Sequence, residues 1–357
     1  MLQSISLTNY RNLNLDLSIA NRNLIVAPNG TGKSNFLESI YVSSLGKSFR
    51  PVDSYADLLG PNGNFAKVSS TYAQHQLELV ISNTDKLQRK FILDGKQRPL
   101  SKVIGQFPVL IFAPHAVDLA LGEPHTRRDD LDDFISLAQP EYHTKLHSYL
   151  QILKHRNALL KSIREGFSQN SELEFWNQEL ISLANFIVQQ RHKFFQEIGE
   201  FITAVAIQIY REDKAEFMIT YQPNTTEDIE NYAEILNQKL VQNSFKEIAV
   251  GKTLYGPHKD DYTLSLSKQN LRYLGSRGQQ RLAVFIWKLA QHRYLLSLTE
   301  QNALILIDDL MSELDQHHRE NVAEYLLQSD FQFILTGAEK HDIPKELIKG
   351  ITGIELT

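Results

Sequence analysis

Residues 24–34 read Leu24-Ile25-Val26-Ala27-Pro28-Asn29-Gly30-Thr31-Gly32-Lys33-Ser34. The first three form a short apolar run that indicates a buried strand, and residues 35–45 have the three- and four-residue apolar spacing of a helix. A loop of small residues that ends in Gly-Lys-Ser between a strand and a helix is typical of a phosphate-binding loop. Its backbone N–H groups and the helix N-terminus both attract negative charge. The stretch therefore predicts an α/β nucleotide-binding fold.

Each residue of this loop is a candidate for nucleotide binding, with ATP and Mg²⁺ as the expected cofactors. Lys33 is expected to neutralise the outer phosphates and to take part in catalysis, and the Ser34 hydroxyl is expected to ligate Mg²⁺. Alanine stands at position 27 where glycine is usual, and we expect it to be tolerated because alanine fits a negative φ. A chance turn rich in small residues is the alternative interpretation. The candidates are Ala27, Pro28, Asn29, Gly30, Thr31, Gly32, Lys33 and Ser34.

A second motif lies far along the chain, where the apolar run 304–307 ends in Asp308 and Asp309. Such a run predicts a buried strand with two carboxylates at its end. Asp308 is expected to hold Mg²⁺ through a water molecule, and Asp309 is expected to polarise the attacking water. Aspartate is one methylene shorter than the glutamate common in related ATPases, so we expect slow hydrolysis. An acidic helix start explains the two carboxylates alone, but it does not explain their partnership with Lys33.

Composition restricts the classes of function. The 357 residues carry 37 basic and 42 acidic side chains, a net charge of −5, so any contact with nucleic acid must be a local patch. Cysteine is absent, which excludes disulfides, zinc–thiolate sites and thiol catalysis. No window has the roughly 18 consecutive apolar residues of a membrane span, so we expect a cytoplasmic protein without a membrane partner.

The pattern along the chain predicts one α/β domain with a helical insertion. Residues 65–111 alternate in the manner of an antiparallel sheet, and residues 172–210 have the spacing of a long helix. We therefore predict an ATPase lobe made of residues 1–122 and 250–357, with residues 123–249 as an inserted, mainly helical lobe.

Three further strings resemble motifs of ABC-type ATPases of the SMC class: Ser276-Arg277-Gly278-Gln279-Gln280-Arg281 the signature, Ser312-Glu313-Leu314-Asp315 the D-loop, and Thr336 the switch position. The form of the signature resembles that of the RecF family. The likeness covers nearly the whole chain. The other residues that match the pattern of this family are Leu7, Tyr10-Arg11-Asn12, Gly122, Pro124, Arg127-Arg128, Leu131-Asp132, Arg156 through Lys161, Trp176 through Leu180 and Gly256 through Asp261. It departs from that family at Ala27, Asp130, His115-Ala116 and Lys259.

The resemblance implies an α/β fold of the ABC-type P-loop ATPase head class, with a mixed sheet, an antiparallel β subdomain and the inserted helical lobe. It also implies an ATP-dependent homodimer, in which Ser276, Gly278 and Gln279 of one head complete the nucleotide site of the other. Hydrolysis would then dissociate the dimer. Without the resemblance, Ser276 is equally well explained as the cap of an ordinary helix. The same likeness places Arg11, Asn12 and Thr336 among the nucleotide-binding residues.

DNA is the partner that the resemblance implies: gapped DNA, a junction of single strand and duplex, or duplex. The implied role is a weak, DNA-stimulated ATPase switch that acts with RecO and RecR to load RecA during repair, replication maintenance and the SOS response. Local charge agrees, because residues 86–102 carry six basic side chains and one acidic, and residues 145–164 carry five basic and none acidic. A solvated charged face is the alternative for either segment.

Two other functions share the ATP motifs. The nucleotide-binding subunit of a transporter would need a membrane partner and a short helical insertion, and the roughly 90-residue helical segment argues against it. A DNA clamp or scaffold that binds nucleotide without cleaving it is the other alternative, motivated by Ala27 and Asp309.

Overall fold

The computed structural model describes residues 1–61, 63–211 and 216–356. The strands are β1 (Leu2–Tyr10), β2 (Leu13–Ser18), β3 (Arg22–Val26), β4 (Phe65–Tyr72), β5 (His75–Asn83), β6 (Leu87–Leu93), β7 (Lys96–Arg98), β8 (Val109–Phe112), β9 (Phe217–Gln222), β10 (Asp261–Leu266), β11 (Gln269–Asn270), β12 (Leu304–Asp308), β13 (Phe333–Gly337) and β14 (Thr352–Gly353). The α-helices are α1 (Lys33–Leu45), α2 (Asp118–Leu121), α3 (Pro124–Ala138), α4 (Pro140–Arg164), α5 (Leu173–Tyr210), α6 (Tyr232–Gln242), α7 (Ser244–Val250), α8 (Leu271–Leu274), α9 (Arg277–Thr299), α10 (Gln316–Gln328) and α11 (Lys345–Lys349).

A five-stranded parallel sheet in the order β14-β3-β13-β12-β8 carries the predicted nucleotide site. Every residue of β8, β12 and β13 is buried, as expected for strands of a parallel sheet covered on both faces. Asp308 pairs with Thr336 in the register of β12 and β13, so the two predicted motifs meet at one edge of the sheet.

A second sheet of six strands is antiparallel throughout, in the order β2-β1-β4-β5-β6-β7. It contains the hairpin of β1 and β2 and most of the segment 65–111. The prediction was wrong for the end of that segment, because β8 pairs in parallel with β12 in the other sheet. Its four residues, Val-Leu-Ile-Phe, are all apolar and all buried, which places them in the interior. The parallel and antiparallel sheets together confirm the predicted fold class.

The helical lobe contains α3 to α7 and is built around α5, a continuous helix of 38 residues. At 1.5 Å per residue this helix is about 57 Å long. The segment 123–249 also contains β9, which pairs with β10 along its whole length. The predicted division at residues 249 and 250 therefore separates two strands of one sheet.

Buried ion pairs hold the lobe together, and one of them, between Arg191 and Asp260, links it to the rest of the chain. The Arg191 guanidinium of α5 contacts the carboxylates of Asp132 at 2.8 Å and Asp260 at 2.9 Å. Arg156 of α4 binds Glu247 of α7 at 2.6 Å, and both side chains are fully buried. Charges in such positions require partners, because an isolated buried ion loses its hydration.

Asp130 of α3 is another charged residue with partners on a neighbouring helix, in this case α9. Its carboxylate accepts hydrogen bonds from Trp287 Nε1 at 3.0 Å and from Gln291 Nε2 at 3.2 Å, and it pairs with the Lys288 ammonium. Lys288 is only 5% exposed. The departure from the family pattern at Asp130 is therefore matched by three donors from the helix that carries the signature string.

Replacing Asp130 by Ala should lower the free energy of unfolding by about 3 kcal/mol, because Lys288 remains buried without a counterion. Guanidinium unfolding followed by tryptophan fluorescence in a Trp176→Phe background measures this, since Trp287 is then the remaining tryptophan. Asp16→Ala on exposed β2 is the control and should change stability by less than about 0.5 kcal/mol. Equal stabilities of the two variants would contradict the buried-pair account.

Candidate nucleotide-binding site

The loop between β3 and α1 is shaped by two glycines in the left-handed region, Gly30 with φ +86° and Gly32 with φ +106°. A Cβ on Gly32 would lie 2.8 Å from Leu13 Cδ2, so this position has no room for a side chain. Ala27 is not among the residues with positive φ, and its methyl group therefore causes no backbone strain of this kind. The loop thus turns at Gly30 and Gly32 and presents its N–H groups before α1 begins.

The Lys33 ammonium lies over this loop. Its Nζ donates to the carbonyl oxygens of Ala27 at 2.5 Å and Pro28 at 3.0 Å. The side chain is almost fully buried, so the position of its charge is tightly restricted. These contacts hold the ammonium at the mouth of the loop, where an outer phosphate of a nucleotide would be neutralised.

The Asp308 carboxylate at the end of β12 joins the loop to the sheet. The Ser34 hydroxyl donates to its Oδ2 at 2.6 Å, and the Thr336 hydroxyl donates to its Oδ1 at 2.6 Å. A serine hydroxyl beside a carboxylate is a pair of hard oxygen ligands, the chemistry that Mg²⁺ prefers when it also binds substrate phosphates. Ser34 and Asp308 therefore fit the ion predicted for them.

Asp309 has a strained backbone, with φ +50°. Its N–H donates to the Thr336 hydroxyl at 3.2 Å, and its carboxylate accepts from the Ser312 hydroxyl at 3.1 Å. Burial raises the pKa of this carboxyl, against the lowering effects of the Ser312 hydroxyl and the nearby Arg281 guanidinium. A carboxyl whose affinity for protons is raised in this way is a better proton acceptor than a fully solvated aspartate.

A cavity of about 240 Å³ brings the two motifs together. It contains six residues of the loop and the start of α1, together with Asp308 and Asp309. Three lining residues, Asn35, Arg50 and Pro114, were not predicted as site residues, because Asn35 lies just beyond the loop motif and the other two belong to no recognisable motif. Arg50 reaches the site because its guanidinium is held by the Glu38 carboxylate at 2.7 Å and by Asn35 Oδ1 at 2.7 Å. The lining residues are Asn29, Gly30, Gly32, Lys33, Ser34, Asn35, Arg50, Pro114, Asp308 and Asp309.

Arg11 and Asn12 lie beside the cavity and are not among its lining residues. The Arg11 guanidinium binds the fully buried Glu38 carboxylate at 2.5 Å, and Asn12 Oδ1 accepts from Asn35 Nδ2 at 2.6 Å. Glu38 thus holds Arg11 and Arg50 together. The two guanidinium groups lower the pKa of Glu38 and oppose the effect of its burial.

The signature residues lie at the start of α9 and do not line this cavity, but the Arg281 guanidinium donates at 3.0 Å to the carbonyl oxygen of Asp309, which does line it. Ser276 is the N-cap: its hydroxyl accepts from the Gln279 N–H at 3.2 Å, and Gln279 Oε1 accepts from the Ser276 N–H at 2.9 Å. The helix-cap interpretation is therefore correct for the isolated chain. Ser276 and Gln279 are exposed and Gly278 is half-buried, so this end of the helix faces outward.

The two basic segments differ in the structure. Lys86, Lys90, Lys96 and Arg98 are exposed on or beside β6 and the edge strand β7, and they have no ion-pair partner in the described part of the chain. In the second segment, the prediction was wrong for Arg156, which is fully buried against Glu247 and cannot reach a DNA phosphate.

Within residues 1–61, 63–211 and 216–356, no helix is both long and apolar enough to cross a membrane.

Comparison with known proteins identifies the family. Residues 1–352 match the family described as "RecF/RecN/SMC N terminal domain". The DNA replication and repair protein RecF of Moorella thermoacetica is 33% identical over 98% of this chain and 92% of its own length. The chain belongs to the RecF family. The RecF protein of an Exiguobacterium species is 34% identical over 98% of this chain and 95% of its own.

The solved structures agree with this family. One described as the recombination mediator protein RecF with ATP in the RecFOR pathway has a TM-score of 0.86 and 25% identity, and it covers 96% of this chain and 93% of its own. An SMC head bound to the C-terminal winged-helix domain of ScpA has a TM-score of 0.58 at 12% identity, over 100% of this chain and 94% of its own, and shows the shared fold. The resemblance inferred from the sequence is confirmed.

Replacing Thr336 by Val should lower the free energy of unfolding by about 2 kcal/mol. Valine has nearly the same shape, but it leaves Asp308 Oδ1 without its buried donor, whereas the Asp309 N–H keeps the carbonyl oxygen of residue 336 at 3.3 Å. Thr336→Ser keeps the hydroxyl, loses one methyl group and should cost about 1 kcal/mol. Denaturant unfolding of both variants measures the difference, and a Val variant at least as stable as the Ser variant would contradict the role of the hydroxyl.

Proposed function

We propose that this RecF-family chain is an ATP-dependent DNA-binding switch of recombinational repair, in which two heads dimerise around ATP and separate after slow hydrolysis. The observation that carries the proposal is the separation of the two halves of the site. Lys33, Ser34 and Asp308 converge on one cavity, whereas Ser276 and Gln279 are exposed outside it. A second head could supply the exposed half, and by symmetry the interface would contain two such sites.

The residues of one head divide the chemistry among them. The loop from Ala27 to Ser34 would hold the phosphates through its N–H groups, with Lys33 neutralising the outer ones. Mg²⁺, held by Ser34 and Asp308, would supply charge neutralisation on the phosphate oxygens. Asp309 would accept a proton from the attacking water, and its raised pKa supports this role. Arg11, Asn12 and Thr336 would support the site from outside the lining, through Glu38, Asn35 and Asp308.

DNA is the proposed macromolecular partner, in gapped, junction or duplex form. The exposed cations of β6 and β7 support contact with the phosphate backbone, which carries no sequence information. RecR, RecO and RecA are proposed as functional partners because the curated relatives are RecF proteins and the similar ATP-bound structure is described as part of the RecFOR pathway. The family match favours this function over the transporter alternative. The non-hydrolysing clamp remains a competing proposal.

Complementation between two inactive variants tests the shared site. Lys33→Ala removes the phosphate-binding ammonium, and Ser276→Arg blocks the surface that would face the partner's nucleotide. Each variant alone should stay monomeric with ATP and Mg²⁺ in light scattering. Mixed in equal amounts they should form a heterodimer, because one of its two sites then combines an intact Lys33 with an intact Ser276.

The control is Lys246→Ala, which removes an exposed ammonium outside the site and should dimerise like the wild type. If each head completed its own site, the mixture would contain no intact site and would remain monomeric. That result, or dimerisation of either variant alone at the wild-type level, would overturn the shared-site proposal.

A measurement of ATP hydrolysis distinguishes the proposed switch from the non-hydrolysing clamp. Asp309→Asn should slow phosphate release by about 100-fold while ATP-dependent dimerisation persists, because the loop and the Mg²⁺ ligands are unchanged. Phosphate release is measured with and without DNA, and Asp16→Asn, at an exposed position of β2, is a matched control for the loss of one carboxylate. A wild-type protein that dimerises with ATP but releases no phosphate under either condition would establish the clamp.

A further inference from the structure

A groove of about 780 Å³ runs along the helical lobe between α5 and α6, remote in sequence from the nucleotide site. The residues of α5 that line it include Glu174, Gln178 and Ile181, at the four- and three-residue spacing of one helix face. From α6 it receives Glu234, Asn237 and Val241, at the three- and four-residue spacing of one helix face. A gap between two neighbouring helix faces is a surface in which a third helix can pack.

The groove combines apolar residues with exposed large hydrophobic side chains at one end. Ile181 and Leu240 line it, Val241 is 61% exposed at its edge, and Phe245, just beyond the lining residue Ser244, is 81% exposed. Isolated exposed hydrophobic residues are common on soluble proteins, but Val241 and Phe245 extend the apolar part of this otherwise mostly polar groove, and a partner can bury that part. The α5 part from residue 174 to 182 is about 12 Å long, which fits two to three turns of a helix.

The charged residues that line the groove indicate the chemistry of its partner. Arg156 is its one basic lining residue, and its charge is already neutralised by Glu247 inside the lobe. Glu174 and Glu234 are exposed, and in the described ranges neither has an ion-pair partner. Two such carboxylates repel a nucleic-acid phosphate and attract Lys or Arg side chains.

We propose that this groove binds an amphipathic helix of a partner protein, with apolar residues on its inner face and Lys or Arg on its edges. The apolar side chains would fill the space between Ile181 and Val241. The basic side chains would pair with Glu174 on one wall and Glu234 on the other. This binding does not require ATP, so it is independent of the function proposed above.

The test uses a fluorescein-labelled amphipathic peptide of 18 Leu and Lys residues, with a peptide in which Glu replaces Lys as the second probe. The double variant Glu174→Lys, Glu234→Lys reverses both groove charges, and its dissociation constant for the Lys peptide should rise at least tenfold. The matched control is Glu141→Lys, Glu200→Lys, which changes two exposed carboxylates of the same lobe, one of them also in the first turn of a helix. The control should change the dissociation constant less than twofold.

A neutral variant tests the shape of the groove. Ser182→Trp fills it from the α5 side without changing its charge and should weaken the Lys peptide at least fivefold. Circular dichroism shows whether each variant is folded, and if the double variant is not, Glu234→Lys and Ser182→Trp decide the question. ATP-dependent dimerisation is measured in parallel and should be unchanged in all groove variants, which distinguishes failure here from failure of the proposed switch.

Several results would overturn the proposal. Equal weakening in the groove and control double variants would show attraction to net charge alone, and equal binding of the Glu peptide would remove the charge argument. Binding of a labelled DNA duplex that Ser182→Trp weakens would assign the groove to nucleic acid. A dimer that forms without nucleotide and is lost in Ser182→Trp would assign it to a second copy of this chain.

Discussion

The carboxylate of Asp308 holds the nucleotide site together. It lies at the end of β12 and accepts one hydrogen bond from Ser34 at the start of α1 and one from Thr336 at the end of β13. Three elements that are far apart in the chain are thus joined by two 2.6 Å contacts. The buried parallel sheet makes this possible, since the carboxyl ends of neighbouring parallel strands lie at the same edge. The loop glycines then only have to turn the chain above that edge.

From this point, contacts run to the helix that carries the signature. Arg281 of α9 donates to the carbonyl oxygen of Asp309 at 3.0 Å and pairs with Glu313 at 2.8 Å. Further along α9, Lys288 and Trp287 bind Asp130 of α3. The helix is therefore attached near its start to the backbone of Asp309 and to Glu313, and at its middle to the helical lobe. A shift of either attachment would move the exposed Ser276, which gives the two lobes a physical connection.

The charged residues of the helical lobe are arranged differently from those of the ATPase lobe. Its interior contains the arginines 156 and 191, each paired with carboxylates, whereas the groove carboxylates Glu174 and Glu234 have no ion-pair partner among the described residues. Four exposed cations, Lys86, Lys90, Lys96 and Arg98, lie together at the edge of the six-stranded sheet, on or beside β6 and β7. These two local patches of opposite charge would suit the two proposed partners, nucleic acid at β6 and β7 and a basic protein segment in the groove.

The sequence alone determined the elements whose patterns are local. The loop from Ala27 to Ser34, the long helix 173–210 and the strand that ends in Asp308 were predicted because hydrophobic period and glycine placement follow directly from neighbouring residues. Only the tertiary structure decided which distant groups meet: Arg50 at the cavity, Arg156 in the interior rather than on a basic surface, and β8 in the parallel sheet. The reason is that burial of a charge and the choice of strand partner depend on long-range contacts, which no local pattern records.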